Sequence, residues 1–173
     1  MNAQTQIRKQ ISINYGLISG GIGVVFSLML YFMDALYNQD STTQWVTTTI
    51  SVVIIVLGIV AYKKSNEGFI SLGESIKLSL GISLVSALVT CVYMILLANV
   101  IEPDFYHNLF ESGKAAALEQ NPKMTSEQLD QMVEMQKKFS WVTYPAILIM
   151  SLLLGLVVGL VTGLIVKKSK PEY

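Results

Sequence analysis

The sequence predicts an all-α integral membrane protein: a four-transmembrane-helix bundle with an extracytoplasmic amphipathic helical hairpin between helices 3 and 4. Three observations carry this expectation. Four long stretches contain no charged residue, small residues recur at every fourth position inside them, and the polar segment before the last stretch has helix-start signals of its own. The chain is 52% hydrophobic and 14% charged, where an ordinary soluble domain carries about 25% charged residues. The deficit is concentrated in Gln10–Met33, Ser41–Tyr62, Leu78–Ile101 and Phe139–Val166. Each reaches the roughly 20 residues that a helix needs to cross a hydrocarbon core of about 30 Å. A helix on a soluble core keeps a polar face, and these stretches show none of useful width. The expected organisation is one membrane domain over 1–173, with spans near 12–35, 43–62, 72–101 and 141–166 and an outer helical loop over 102–140.

The first span follows Arg8 and Lys9, as the apolar core of a signal peptide would. It is longer than the usual 7–15 apolar residues and lacks a small-residue cleavage site, so it reads as a retained span. Orientation follows from lysine and arginine in the short loops. Arg8, Lys9, Lys63, Lys64, Lys77, Lys167, Lys168 and Lys170 fall on the side of the termini, against Lys114, Lys123, Lys137 and Lys138 on the other. Both termini are therefore expected in the cytoplasm. Tyr31, Tyr37, Trp45, Trp141 and Tyr144 gather at the opposite interface, at the headgroup depth that amphipathic rings favour.

Glycine is a poor helix former in water, yet the fourth span carries Ser151, Gly155, Gly159 and Gly163 in steps of four. Lipid tails are as apolar as leucine, so helices associate in a bilayer by close packing, and small residues let backbones approach. The expected packing positions are Gly16, Gly20 and Gly23 on the first span, Ser83 and Ala87 on the third, and the four residues of the last. Such a stripe closes either on the chain's own bundle or on a second copy or another membrane protein.

Ser71-Leu72-Gly73-Glu74 fits a capping box, with Ser capping the helix start and Glu reaching back. Glu74 and Lys77 stand three apart and can pair on one helix face; they are the ionisable residues nearest the membrane interior, read first as a structural anchor with Lys77 reaching the headgroups and otherwise as a candidate functional pair. In the loop, Pro103-Asp104 opens a helix bearing Phe105, Leu109 and Phe110, and Asn121-Pro122 breaks it. Thr125 to Gln128 is a second capping box, followed by Leu129, Met132, Val133 and Phe139 at helical spacing. Asp104, His107 and Glu111 read as a solvated face rather than a metal site.

No span holds an ionisable residue at mid-depth or a proline at its centre, and ion-coupled transporters rely on such features. No nucleophile–base set, paired metal ligands or glycine-rich phosphate loop occurs. The expectation is a non-enzymatic protein with no catalytic, cofactor-binding or metal residues. Its surroundings are the lipid bilayer and either further copies of itself or a membrane-protein partner, and its zero net charge gives no bias toward nucleic acid. Two roles fit: an interaction or accessory protein packing through small-residue helix faces, or a small oligomeric permease or channel. The second expects a polar lumen lined by Asn14, Ser19, Ser27, Thr47, Ser51, Ser83, Ser86 and Thr90.

The segment Gly68-Phe-Ile-Ser-Leu-Gly-Glu-Ser-Ile-Lys77, the Tyr15-Gly16 entry to the first span and the Glu102-Pro103 exit of the third resemble a known family. It is the domain-of-unknown-function family 4199, small four-span inner-membrane proteins of Bacteroidota-type bacteria. The resemblance implies a bacterial cytoplasmic membrane and brings no activity or functional residues with it.

Overall fold

A computed structural model describes residues 3–37 and 41–168. Asp40, Lys170 and Glu172, which bear on the charge distribution, lie outside the described residues. The elements are α1 (Ala3–Phe32), α2 (Ser41–Ser65), α3 (Leu72–Leu96) continued by a π-helical turn (Leu97–Ile101), α4 (Phe105–Gln120), α5 (Ser126–Lys138), a 3-10 turn (Ser140–Val142) and α6 (Thr143–Val166). Four helical segments are long and apolar enough to cross a membrane: Gln4–Phe32, Thr42–Ser65, Leu72–Ile101 and Ser140–Val166. The chain is a membrane protein. Large apolar side chains such as Phe32, Val25 and Ile165 stand mostly exposed, as they would toward lipid; on a soluble monomer a surface of this kind would aggregate.

Local chemistry sets the helix ends. α1 closes in a Schellman motif, with Ala35 N–H donating to Leu30 C=O and Asp34 N–H to Tyr31 C=O. Asp34 takes the left-handed conformation this requires, at φ 55°. α2 ends in the same way: Gly68 N–H donates to Lys63 C=O, and Glu67 and Gly68 adopt φ 57° and 83°. Both expected capping boxes form, Ser71 with Glu74 on α3 and Thr125 with Gln128 on α5.

α3 is the axis of the bundle. It touches α1, α2 and α6, while α1 and α6 do not meet among the described residues. On one face, Ser75, Ser79 and Ser83 meet Gly163, Gly159 and Gly155 of the antiparallel α6. A Cβ on Gly159 would fall on Ser79 Oγ, and one on Gly155 on Ser83 Oγ. Only glycine Cα–H groups fit there, pointing at hydroxyl oxygens in the manner of weak Cα–H···O bonds worth about 0.5–1 kcal/mol each. Ser75 Oγ adds a full hydrogen bond to Gly159 C=O at 2.9 Å. The opposite face repeats the step of four with the parallel α1. Ser12 meets Gly81, Gly16 meets Val85 and Gly20 meets Val89, with the Gly16 Cβ position 2.5 Å and the Gly20 one 2.6 Å from a valine Cβ.

The α6 stripe is thus closed on α3 of the same chain. Gly23 differs from its expected packing role: it is exposed, and nothing lies within 4 Å of its Cβ position. Ala87 is buried and Ser151 half-buried. Ile55, Ile59, Tyr62, Ile70, Leu78, Ile82 and Val158 fill the half of the core nearer the termini. Tyr93, Leu97, Ala98 and Phe105 fill the half nearer α4.

These contacts make a contrast measurable by thermal unfolding in detergent. Gly159→Ala should cost about 1–3 kcal/mol, the range for overpacking a filled core, because Ser79 Cβ and Ile76 Cα stand 2.9 and 3.2 Å away. Gly23→Ala should be neutral or stabilising by up to about 1 kcal/mol. Equal stability of the two variants would contradict close α3–α6 packing.

Candidate functional site at the hairpin end

Two carboxylates sit at opposite ends of α3, and they are treated differently. Glu74, at the end carrying the termini, is fully engaged. Ser71 N–H and Oγ–H donate to its Oε2, each at 2.9 Å, and the buried Tyr62 hydroxyl donates to Oε1 at 2.8 Å. Arg8 of α1 acts on it electrostatically. The expected Glu74–Lys77 pair does not form. As the third residue of the capping box, Glu74 turns back toward the helix start, and Lys77 one turn on is exposed. Around this cap, Asn66 Nδ2 donates to Phe69 C=O, Ile70 and Lys168 exchange backbone hydrogen bonds, and the Lys168 ammonium lies over the Phe69 ring. The arrangement ties the α2–α3 link to the end of α6.

Glu102, at the other end, follows the π turn. Its Oε1 accepts from the Tyr37 hydroxyl at 2.6 Å and from Asn108 Nδ2 at 2.9 Å. Its Oε2 is sealed from solvent with no hydrogen-bond partner among the described residues, and Glu102 forms no ion pair among them. Ser112 Oγ–H donates to Tyr37 C=O at 2.8 Å, and the Tyr106 and Tyr144 hydroxyls stand 3.0 Å apart. Phe105 is buried, with Tyr37 and Tyr106 ring centroids at 6.0 and 5.3 Å. α4 is therefore bolted to the ends of α1, α3 and α6. α5 in turn is held to α4 by Lys114, which bridges Asp130 at 3.0 Å and Glu111 at 3.1 Å, and by the buried Leu129 and Val133.

Beside the Tyr37–Glu102 bond opens a pocket of about 460 Å³, lined by Tyr31, Phe32, Asp34, Leu36, Tyr37 and Glu102. It has aromatic walls and two carboxylates and no basic lining residue. Among the described residues no three His, Cys, Asp or Glu side chains converge as a metal site would need. Sequence reasoning placed Tyr31, Tyr37 and Tyr144 only as interface aromatics and Glu102 only as a span exit. The available signal was an acid directly after an apolar run, before a proline.

The residues proposed for a polar lumen do not line one channel within a single chain. Asn14 is exposed on α1, Ser27 accepts from Tyr93 OH, and Thr47 and Thr90 hydrogen-bond back to their own helices. Ser19, Ser51, Ser83 and Ser86 do converge, around a cavity of about 30 Å³.

Residues 14–168 match the family described as protein of unknown function (DUF4199). The chain belongs to the DUF4199 family. No curated protein and no solved structure matches it. The family match takes in the Glu74 cap, the α3–α6 contact and the Glu102 pocket of this DUF4199 chain alike.

Burial first, and then the hydrogen bond to Glu102, push the Tyr37 hydroxyl from its ordinary 10 up to about 12. Burial and the Tyr144 contact do the same for Tyr106. Both stay neutral when folded at pH values where the unfolded chain ionises. Their stabilisation is therefore full below pH 10 and is lost as pH rises toward about 12. Tyrosinate absorbance of the native protein should show Tyr37 and Tyr106 among its late-titrating groups, and Tyr37→Phe should remove one. That variant should also loosen α4 by about 1.5 kcal/mol, a hydrogen bond to a charged acceptor, read as faster amide exchange over α4 than over α3.

Proposed function

We propose that this protein is a non-enzymatic interaction or accessory subunit of the bacterial cytoplasmic membrane, with both termini cytoplasmic and the α4–α5 hairpin outside. Its partner docks at the hairpin end. The observation that carries this reading is the pocket of three aromatic rings and two carboxylates with no base among its lining residues. Aromatic faces and nearby carboxylates attract a cation together, and the volume lies in the range of pre-formed ligand sites. A lysine or arginine side chain from an outer loop of a partner membrane protein has the matching charge and an apolar stem for the rings.

Two further features support an interaction role over transport by a single chain. The small-residue faces of α3 and α6 are spent on each other, so a partner needs a different surface. The core cluster nearer the termini is isoleucine, leucine and valine with the single Tyr62, the packing of a filled core rather than of a wide channel.

The test is native purification through a tag on the C-terminus, from membranes extracted in mild detergent. The expected result is a distinct protein at fixed stoichiometry that is lost with Asp34→Lys. Asp34 is exposed, so the substitution cancels the pocket's net negative charge without touching the core. A partner retained undiminished by Asp34→Lys would remove the pocket from the interaction. Recovery of the chain only as a defined oligomer of itself would favour the permease reading instead.

A further inference from the structure

We infer that the four spans line a hydration site at mid-depth of the membrane, holding one or two water molecules among five serine side chains. Ser19 comes from α1, Ser51 from α2, Ser83 and Ser86 from α3 and Ser151 from α6, and all five line the cavity of about 30 Å³. Each lies within about one helical turn of the middle of its own span. The four helices thus bring hydroxyls to one point, at the depth where polar groups are hardest to satisfy.

The hydrogen-bond inventory leaves capacity there. Ser86 Oγ–H donates to Ser19 Oγ at 3.2 Å, and Ser51 Oγ–H donates to Thr47 C=O at 3.0 Å. A hydroxyl offers one donor and two acceptor lone pairs, so lone pairs on Ser51 and Ser86 remain open toward the cavity. Ser83 is only 4% exposed, and its hydroxyl has no hydrogen-bond partner among the described residues. Its Oγ lies against Gly155, where a Cα–H can serve its lone pair but no acceptor takes its proton among the described residues. Rotation of this short side chain carries the donor toward the cavity.

Chemistry and size select the occupant. A water needs about 10–15 Å³ of cavity volume and two to four polar partners, and cavities that stay empty are apolar. The space has both the room and the partners. It is too small for an organic ligand. A bare cation has no carboxylate to balance it among these neutral hydroxyls and would bear the full desolvation cost of a charge at the bilayer centre. Neutral water meets no such penalty and joins all four spans by hydrogen bonds.

Water-edited solid-state NMR of the full chain in lipid bilayers tests this. Ser83 and Ser86 side-chain signals should acquire magnetisation from water several-fold faster than Ile59, which is fully buried in the dry core. Build-up at Ser83 as slow as at Ile59 would overturn the inference. Ser86→Val, which fills the cavity with methyl groups, should slow the transfer at Ser83 to the rate of Ile59. Unchanged fast transfer in that variant would place the water elsewhere and also overturn it. Ser151→Val makes the same change from α6 should the first variant not fold.

Discussion

The close approach of α3 and α6 is the constraint on which the other features depend. Lipid gives helices no hydrophobic reason to associate, so two backbones must come near enough for short contacts to matter. Glycine at 155, 159 and 163 permits this on α6, and serine at 75, 79 and 83 meets it with oxygen rather than carbon. A hydroxyl is smaller than a methyl and accepts a Cα–H, so it tolerates the distance. The same geometry explains why Ser83 is left with a proton and no acceptor. The contact that fixes the bundle leaves an unsatisfied donor at its centre, and the cavity lies beside it.

With α6 on one face, α3 uses its other face for α1 at the same step of four. The two ladders turn α3 into an axis, and both ends of that axis carry a carboxylate. The turn between α3 and Glu102 is π-helical, stabilised by Glu102 N–H donating to Leu97 C=O at 2.8 Å. One extra residue in a helix rotates the downstream chain by about 100°. Such turns recur at functional sites, and this one sets Glu102 between Tyr37 and Asn108, beneath α4.

Spans, capping boxes and the α6 stripe were legible because each rests on local spacing. Serine three residues before glutamate reports a helix start wherever the helix later goes. What the stripe closes on was not legible, since glycine every fourth residue describes one surface and not its partner. Ser83 belongs to the expected α3 stripe, but Ser75, which makes the direct bond to α6, lies two turns earlier. Glu74 shows the same limit. Spacing of three put Lys77 within reach, but the capping box claims one carboxylate oxygen and the Tyr62 hydroxyl the other. Gly23 lies in step with Ser19 and Ser27, which both find serine or tyrosine partners on α3, yet no side chain approaches it. The pocket at the hairpin end draws on residues separated by a whole span pair, and the π turn that orients Glu102 has no signature in Leu97-Ala-Asn-Val-Ile101.

The contrast between the two carboxylates bears most directly on function. Glu74 receives three hydrogen bonds across both oxygens and faces Arg8; it behaves as a structural clasp that is complete within the chain. Glu102 receives two on one oxygen and none on the other, with no cation paired to it among the described residues. A half-satisfied buried acceptor is destabilising. A glutamine there would keep an oxygen for Tyr37 and Asn108 while removing the unbalanced charge. Structures depart from internal consistency chiefly at sites that serve something outside the fold. A negative charge left unbalanced beside three aromatic rings is such a departure, and it supports the proposal that a partner docks at the hairpin end rather than at the end carrying the termini.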